Sequence, residues 1–164
     1  MTSFLIILAN IIFSYKGFKD RYFFDKYKFN PLAVKNGETI RYISSGFLHV
    51  NQGHLFVNMF MLWMFGRTLE SKWGSSRFIK YYLFIGVGSG LLTILYHLFI
   101  GTSCRLIGAS GAVYGVILAY ALMYPNRKVY LFGVFEIKVK YMMLIFVLSD
   151  FVGLFSSSYS NVSY

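Results

Sequence analysis

The chain has 164 residues, of which 57% are hydrophobic and 13% charged, and its mean hydropathy is +0.56. Soluble domains carry about 25% charged residues, so this composition excludes an ordinary soluble domain and indicates a membrane protein. The formal net charge is +10, but the basic residues stand in short clusters between apolar runs rather than along one face. Anionic lipid headgroups are therefore the expected partner, and nucleic acid is not. The single cysteine, Cys104, excludes an internal disulfide framework and a multi-cysteine metal site.

Intervals without charged residues predict five membrane helices, since about 20 mostly apolar residues cross the hydrocarbon core. No Lys, Arg, Asp or Glu occurs in 1–15, 42–66, 81–104 and 106–126. After Lys140 the only one is Asp150. The sequence therefore predicts an all-α, polytopic membrane helix bundle that forms a single membrane domain over 1–164. The predicted spans are about 2–15, 54–70, 79–100, 110–125 and 141–156.

The first predicted span is short, at roughly 22 Å for 15 helical residues, so Tyr15 and Lys16 are expected to anchor it at the interface. A signal peptide is the alternative, but this stretch lacks a basic start and a clear small-residue cleavage site. A long loop is predicted over 16–53, with seven basic and three acidic residues. If the helices alternate, each side of the membrane receives eight basic residues, so charge does not select an orientation.

Polar residues in and before the second span are informative, because each costs free energy in hydrocarbon unless it is paired or faces a cavity. The stretch GFLHVNQGHLFVNMFMLWMFG contains His49, His54 and Asn58. His54 and Asn58 are four residues apart, so on a helix they share one face and can donate hydrogen bonds toward one point. The alternative is that they satisfy each other or a backbone carbonyl between helices.

The stretch GASGAVYG places Ser110 at the first turn of the fourth span. Backbone N–H groups are unpaired there, so an oxyanion forming at Ser110 would meet ready donors. Gly108 and Gly111 allow a substrate to approach the backbone closely, and Tyr114 shares the helix face of Ser110. The alternative is a packing helix capped by a serine, in which Gly111 and Gly115 form a face of small residues.

The two patterns, in this order, resemble the rhomboid family of intramembrane serine proteases over about residues 41–150. The matching features are Arg41, the HxxxxHxxxN pattern of His49, His54 and Asn58, the turn GRTLESKWGSSRF, and the GxSG motif at 108–111 followed by Tyr114. The resemblance implies that Ser110 is the nucleophile. It implies that His54, Asn58 and the Ser110 N–H form the oxyanion hole. Supporting positions are Gly108, Gly111, Tyr114, His49 and Arg41, with Tyr114 matching the tyrosine against which the family's base packs.

The general base that the resemblance implies is missing from this sequence. In the family it is a histidine in an AHxxG segment on a sixth helix, whereas His49, His54 and His97 all precede Ser110. His97, near the far end of the third span, is not expected to substitute. A serine without a base is a weak nucleophile. We therefore expect a rhomboid-type intramembrane serine endopeptidase with five of the six core helices, and we expect these 164 residues to be inactive by themselves. A C-terminally incomplete chain is the favoured explanation, and a noncatalytic rhomboid-like membrane-protein binder is the alternative.

The resemblance also implies partners and location. Transmembrane protein substrates and the lipid bilayer are the expected partners, in a multi-pass protein of the cell inner or plasma membrane. No cofactor is expected, and no metal, because two histidines five residues apart without a nearby carboxylate are poor zinc ligands. A channel or transporter is a third alternative. Against it, the predicted spans contain few carboxylates, namely Asp150 and, at the end of the second span, Glu70. The sequence also has no obvious internal repeat.

Overall fold

The computed structural model describes residues 1–100, 107–131, 134–145 and 148, and these are mostly helical. The helices are α1 (Thr2–Lys19), α2 (Arg21–Tyr27), α3 (Pro31–Lys35), α4 (Ile40–Ser44), α5 (Gln52–Met61), α6 (Arg67–Trp73), α7 (Ser75–Ile100) and α8 (Ser110–Met123). A 3₁₀ turn (Ser45–Phe47) follows α4, and a π-helical turn (Leu62–Gly66) joins α5 to α6. Contacts divide the chain into two compact units, Met1–Ile117 and Leu118–Tyr164, and each is described by itself.

The predicted spans coincide with helices, but their ends differ. The first helix continues to Lys19, and the second predicted span corresponds to α5, the π turn and α6 together. The third span lies in α7, and the fourth coincides with α8 except for its last two residues. Residues 139–145 are helical at the start of the fifth predicted span, most of which lies outside the described residues.

The count of five spans is not confirmed. Among the described residues, one helix is long and apolar enough by itself to cross a membrane, at Ser75–Phe99. The helix Ser110–Met123 is apolar but shorter, at about 21 Å for its 14 residues. The single membrane domain over 1–164 likewise stays a prediction.

Two parts of the predicted architecture need correction. The connection 16–53 is not an irregular loop, because α2, α3 and α4 lie within it. Side-chain caps explain two of these helices: Asp20 accepts a hydrogen bond from the Phe23 N–H at 3.0 Å, and Asn30 caps α3 directly before a proline. The all-α class is wrong at 128–138, where β1 (Lys128–Leu131) and β2 (Phe135–Lys138) form an antiparallel hairpin. Alternating polar and apolar residues there favour strands.

Helix α1 buries polar side chains and exposes apolar ones. Asn10 and Ser14 are fully buried and Ser3 nearly so. The exposed apolar side chains are Phe4, Leu5, Leu8, Ile11, Ile12 and Tyr15. In lipid the polar groups must find partners inside the protein while apolar groups face outward. This inverted pattern supports an apolar environment around α1.

The carboxylate of Glu70 joins α1 to the turn between α6 and α7. It accepts hydrogen bonds from the backbone N–H groups of Thr2 at 2.5 Å and Ser3 at 3.0 Å. The hydroxyls of Ser3 and Ser75 each donate to it at 2.6 Å, and the Met1 ammonium lies 2.5 Å away. Its side chain is 7% exposed, so the two N–H groups at the start of α1 are satisfied by a buried anion.

The apolar core of the first unit lies where the π turn meets α6 and α7. Leu62, Phe65, Leu69 and Phe78 are all fully buried. Gly66 lies among them, and a Cβ built on it would lie 3.2 Å from Cζ of Phe78. The core therefore forms beside the Glu70 carboxylate and holds the second helical segment against α7.

Replacing Glu70 with glutamine should destabilise the fold. The amide loses the negative charge, and hydrogen bonds to a charged group contribute about 1.5–3 kcal/mol. We expect the free energy of unfolding to fall by about that amount, measured by thermal unfolding of the detergent-solubilised chain followed by circular dichroism. Glu38→Gln is the control, because Glu38 is 54% exposed in its pair with Arg41, and exposed pairs contribute about 0.2–1 kcal/mol. Equal losses in the two variants would contradict the role assigned to Glu70.

Candidate active site

The start of α8 is positioned by close packing against α7. A Cβ built on Gly111 would lie 2.1 Å from Oγ of Ser89, and one on Gly115 would lie 2.3 Å from Cγ2 of Ile85. The Tyr81 hydroxyl also donates to the Gly115 carbonyl at 2.8 Å. Any side chain at either glycine would force the two helices apart. The two glycines therefore form a close contact between the helices, and this contact fixes Ser110 one residue before Gly111.

Gly108 brings the segment before Ser110 against both histidines. Its φ is +109°, and a Cβ at this position would lie 2.9 Å from Cε1 of His54 and 3.8 Å from Cδ2 of His49. Its N–H donates to the carbonyl of Ser45 at 3.0 Å. Both the backbone conformation and the space favour glycine here. The motif GxSG and the pattern HxxxxHxxxN, which are 50 residues apart in sequence, thus meet in the structure.

The start of α5 orients His54 and Asn58. The side chain of Asn51 accepts a hydrogen bond from the His54 N–H at 2.8 Å, so it caps the helix. The Asn58 amide donates to the His54 carbonyl at 2.9 Å, and Asn58 is 5% exposed. A backbone carbonyl therefore does satisfy Asn58, but within one helix rather than between helices. A carboxamide has two N–H donors, so a second donor remains on this side chain.

His49 is fully buried and lies next to His54, with ring centroids 5.1 Å apart. The Ser14 hydroxyl donates to the Phe47 carbonyl at 2.9 Å and lies 2.9 Å from Nδ1 of His49. If the hydroxyl proton is donated to the carbonyl, Nδ1 can contact the hydroxyl only as a donor, and Nε2 is then the acceptor of the ring. Nε2 is buried with no hydrogen-bond partner among the described residues.

Burial holds His49 in its neutral form. This residue lies before α5, outside the predicted spans. Burial, followed by the charge of His54, lowers the pKa of His49 from its ordinary value of 6.5 to about 4, against a smaller opposing effect of the Phe47 backbone. Near neutral pH His49 is therefore an uncharged ring that packs beside His54 and Gly108.

The remaining predicted residues have different surroundings. Ser110 begins α8 and is half-buried, and Tyr114 follows one turn later, also half-buried. Arg41 belongs to the helical connection: its guanidinium pairs with Glu38 at 2.7 Å and donates to the Asp25 carbonyl at 2.8 Å. Arg41 thus holds the connection together. The catalytic roles of Ser110, His54 and Asn58 stay predictions.

His97 lies away from the contact that positions Ser110. Gly111 packs against Ser89, and His97 follows Ser89 by eight residues on the same helix, or about 12 Å along its axis. This separation agrees with the expectation that His97 does not serve as the base. Among the described residues, no group of three His, Cys, Asp or Glu side chains converges. The absence of a metal site stays a prediction.

Two residues of the site were missed in the sequence. The carbonyl of Ser45 holds Gly108, and the Ser14 hydroxyl holds the ring of His49. A backbone acceptor carries no side-chain signal, so Ser45 was not recognisable. Ser14 was, because Ser3, Asn10 and Ser14 recur at helical spacing within an apolar run, and polar residues in such a run require partners.

Comparison with known families agrees with the pattern of motifs. A family model described as "Rhomboid domain" matches residues 36–164. The chain belongs to the rhomboid family. Rhomboids are membrane proteins, and intramembrane serine proteases occur among the relatives of this chain.

Similar rhomboids come from yeast, plants and bacteria. "Rhomboid protein 1, mitochondrial" of Saccharomyces cerevisiae is 34% identical over 57% of this chain and 28% of its own length. "RHOMBOID-like protein 12, mitochondrial" of Arabidopsis thaliana is 24% identical over 97% of this chain and 51% of its own. "Rhomboid protease GluP" of Bacillus subtilis is 32% identical over 60% of this chain and 18% of its own. The chain thus spans about half or less of these relatives. The expected inner or plasma membrane is not confirmed, since two of them are named mitochondrial.

Replacing Gly108 with alanine should destabilise the site. The new methyl group meets His54 at 2.9 Å and φ is +109°, and strain of this kind costs about 1–3 kcal/mol. We expect thermal unfolding to begin at a lower temperature. Gly88→Ala is the matched control, since it lies inside α7 with nothing within 4 Å of its Cβ position, and alanine there favours the helix by up to about 1 kcal/mol. A tolerated Gly108→Ala would contradict the close approach.

Acid should weaken the fold through His49. Between its ordinary pKa of 6.5 and its folded pKa of about 4, the unfolded chain binds more protons, so stability falls as the pH is lowered through this window. The difference amounts to roughly 3 kcal/mol between pH 7 and pH 4. Chemical unfolding at a series of pH values should detect it. His49→Gln should remove this part of the pH dependence and His97→Gln should keep it; the same slope in all three proteins would refute the assignment.

Proposed function

We propose that this chain carries the nucleophile and the oxyanion-binding groups of a rhomboid-type intramembrane serine endopeptidase. The observation that carries the proposal is the contact of Gly108 with His54, reinforced by the hydrogen bond from Gly108 to Ser45. This contact brings the residue two positions before Ser110 to the residue one turn before Asn58. A packing motif alone requires Gly111 and Gly115 but has no need for Gly108 at the histidines.

Each side chain has a distinct role in this mechanism. The Ser110 hydroxyl attacks a peptide carbonyl, whose oxygen becomes negatively charged. That oxygen is held by the Ser110 N–H at the start of α8, by the His54 ring and by the second N–H of Asn58. Donors arranged before the reaction stabilise such a charge strongly, because no reorganisation is required.

The proton of Ser110 needs an acceptor, because the hydroxyl by itself is a weak nucleophile. We assign this role to no residue of the 164, since no histidine follows Ser110 and His97 lies about 12 Å along α7 from the packing contact. The family resemblance implies a histidine in an AHxxG segment. The proposal therefore includes inactivity of the 164 residues alone.

The proposed substrates are transmembrane segments of other membrane proteins. The exposed apolar side chains of α1, together with the apolar α7, support a site reached from the bilayer. The proposal includes one multi-pass domain, with five spans and a location in a cell inner or plasma membrane.

The experiment supplies the missing histidine. The 164-residue chain, and the same chain joined to a helix carrying AHxxG from a close relative, are reconstituted with a model transmembrane substrate and treated with a fluorophosphonate. We expect cleavage and labelling from the joined chain alone. In that chain, Ser110→Ala should abolish both, while His54→Ala and Asn58→Ala should lower turnover by about 10²- to 10³-fold.

Ser76→Ala is the control, because Ser76 is an exposed serine near the start of α7 that does not take part in the contact with Gly111. It should retain activity. Cleavage that survives Ser110→Ala would refute the nucleophile. A joined chain that folds and binds substrate but cleaves nothing would support the noncatalytic binder.

A further inference from the structure

The hairpin of β1 and β2 has one apolar and one polar face. Val129 pairs with Ile137, and Phe135 lies two residues before Ile137 on the same strand, which puts three apolar residues on one side. Lys128 pairs with Lys138 and Tyr130 with Glu136 on the other side. Two contacts confirm the polar side: the Tyr130 hydroxyl donates to Glu136 at 2.9 Å, and the Lys128 ammonium lies 2.6 Å from Glu136.

The apolar side is partly uncovered. Phe135 is 69% exposed and Val134, at the turn, is 71% exposed. Val129 and Ile137 are half-buried. An isolated two-stranded hairpin is marginally stable in water, and large apolar side chains left exposed on it indicate that a further apolar surface covers them.

Positive charge is concentrated at the base of the hairpin. The segment 124–140 contains four basic residues, Arg127, Lys128, Lys138 and Lys140, and one acidic residue, Glu136. Glu136 is already shared between Lys128 and Tyr130. The N–H of Val139 donates to the Arg127 carbonyl at 3.0 Å and closes the base of the hairpin. This bond brings the backbone of Arg127 and Lys128 close to that of Lys138 and Lys140.

The position of the hairpin in the chain selects the covering surface. It lies between the apolar helix α8, which ends at Met123, and the helix that begins at 139. A short connection between two membrane helices lies at the membrane surface. Apolar side chains then face the acyl chains and cations face the phosphates, the arrangement typical of interfacial segments.

We propose that the hairpin 128–138 lies flat on the membrane and binds anionic lipid headgroups. Phe135 and Val134 enter the boundary between headgroups and acyl chains, and Arg127 and Lys140, which flank the strands at the base of the hairpin and are exposed, bind the phosphates. The hairpin thereby sets the depth at which the helix beginning at 139 enters the bilayer. This inference rests on the membrane location of the flanking helices and is independent of the chemistry at Ser110.

Spin labels on opposite faces test the proposal in the full chain. Cys104→Ser removes the single native thiol, and Phe135→Cys or Tyr130→Cys then carries a nitroxide. The two positions are similarly exposed, at 69% and 59%, and lie on opposite faces. In vesicles of phosphatidylcholine with phosphatidylglycerol, the label at 135 should be accessible to oxygen and shielded from an aqueous nickel chelate. The label at 130 should show the reverse.

Charge removal tests the headgroup contact. Arg127→Gln with Lys140→Gln should shift the label at 135 toward the aqueous signal, since each Lys or Arg near an anionic surface changes binding about fivefold. The matched control is Arg21→Gln with Lys26→Gln, an exposed arginine and an exposed lysine of the first unit, which should leave it unchanged. Vesicles of phosphatidylcholine alone should reproduce the effect of the double variant.

Three outcomes would overturn the proposal. Equal accessibility of the labels at 130 and 135 would mean that neither face meets lipid. Shielding of 135 from both oxygen and nickel would point to a protein partner, such as a peptide added to a strand edge. If the accessibility of the label at 135 did not change with phosphatidylglycerol, the proposed binding of anionic lipid would be wrong. Val134→Cys provides a second label site should Phe135→Cys fail to fold.

Discussion

Polar groups buried in apolar surroundings must find partners within the protein, and this constraint organises the first unit. On α1 the polar face points inward, with Ser3 at one end and Ser14 toward the other. Ser3 binds the Glu70 carboxylate, and Ser14 contacts Nδ1 of His49. Each of these bonds joins α1 to a different part of the chain. The first helix therefore connects separate parts of the first unit through its buried polar side chains, although its composition is that of a membrane anchor.

The candidate active site depends on α1 through the contact of Ser14 with His49. The ring is held by Ser14, packs against His54 and lies near Gly108. His49 thus supports the position of His54 without any part in the proposed chemistry. Glycine at 108 is required because its φ is +109° and because the imidazole ring of His54 occupies the space in which a side chain would lie. The same segment serves packing and carries the proposed nucleophile, since Gly111 packs α8 against α7 one residue after Ser110.

Several features were predictable from particular residues. Charge-free intervals located the helices, because a charge inside hydrocarbon is costly and helices therefore end near charged residues. The spacing of His54 and Asn58 placed both on one helical face. The hairpin was missed because the apolar intervals led to an all-α class, although the alternating residues at 128–138 carried the signal for strands. The capping residues Asp20 and Asn30 were a similar signal, in this case for helices within the connection 16–53.

The sequence by itself determined the solvent, the longer helical segments and the identity of the motif residues, because these depend on composition and local spacing. Tertiary structure decided what the motifs contact: that Gly108 meets His54, that Ser45 holds the turn, and that Arg41 supports the connection rather than the histidines. Such contacts join residues dozens of positions apart, and spacing along a chain contains no distance through space. They form because buried polar groups and close-packed glycines admit few arrangements, and only the folded chain selects among them.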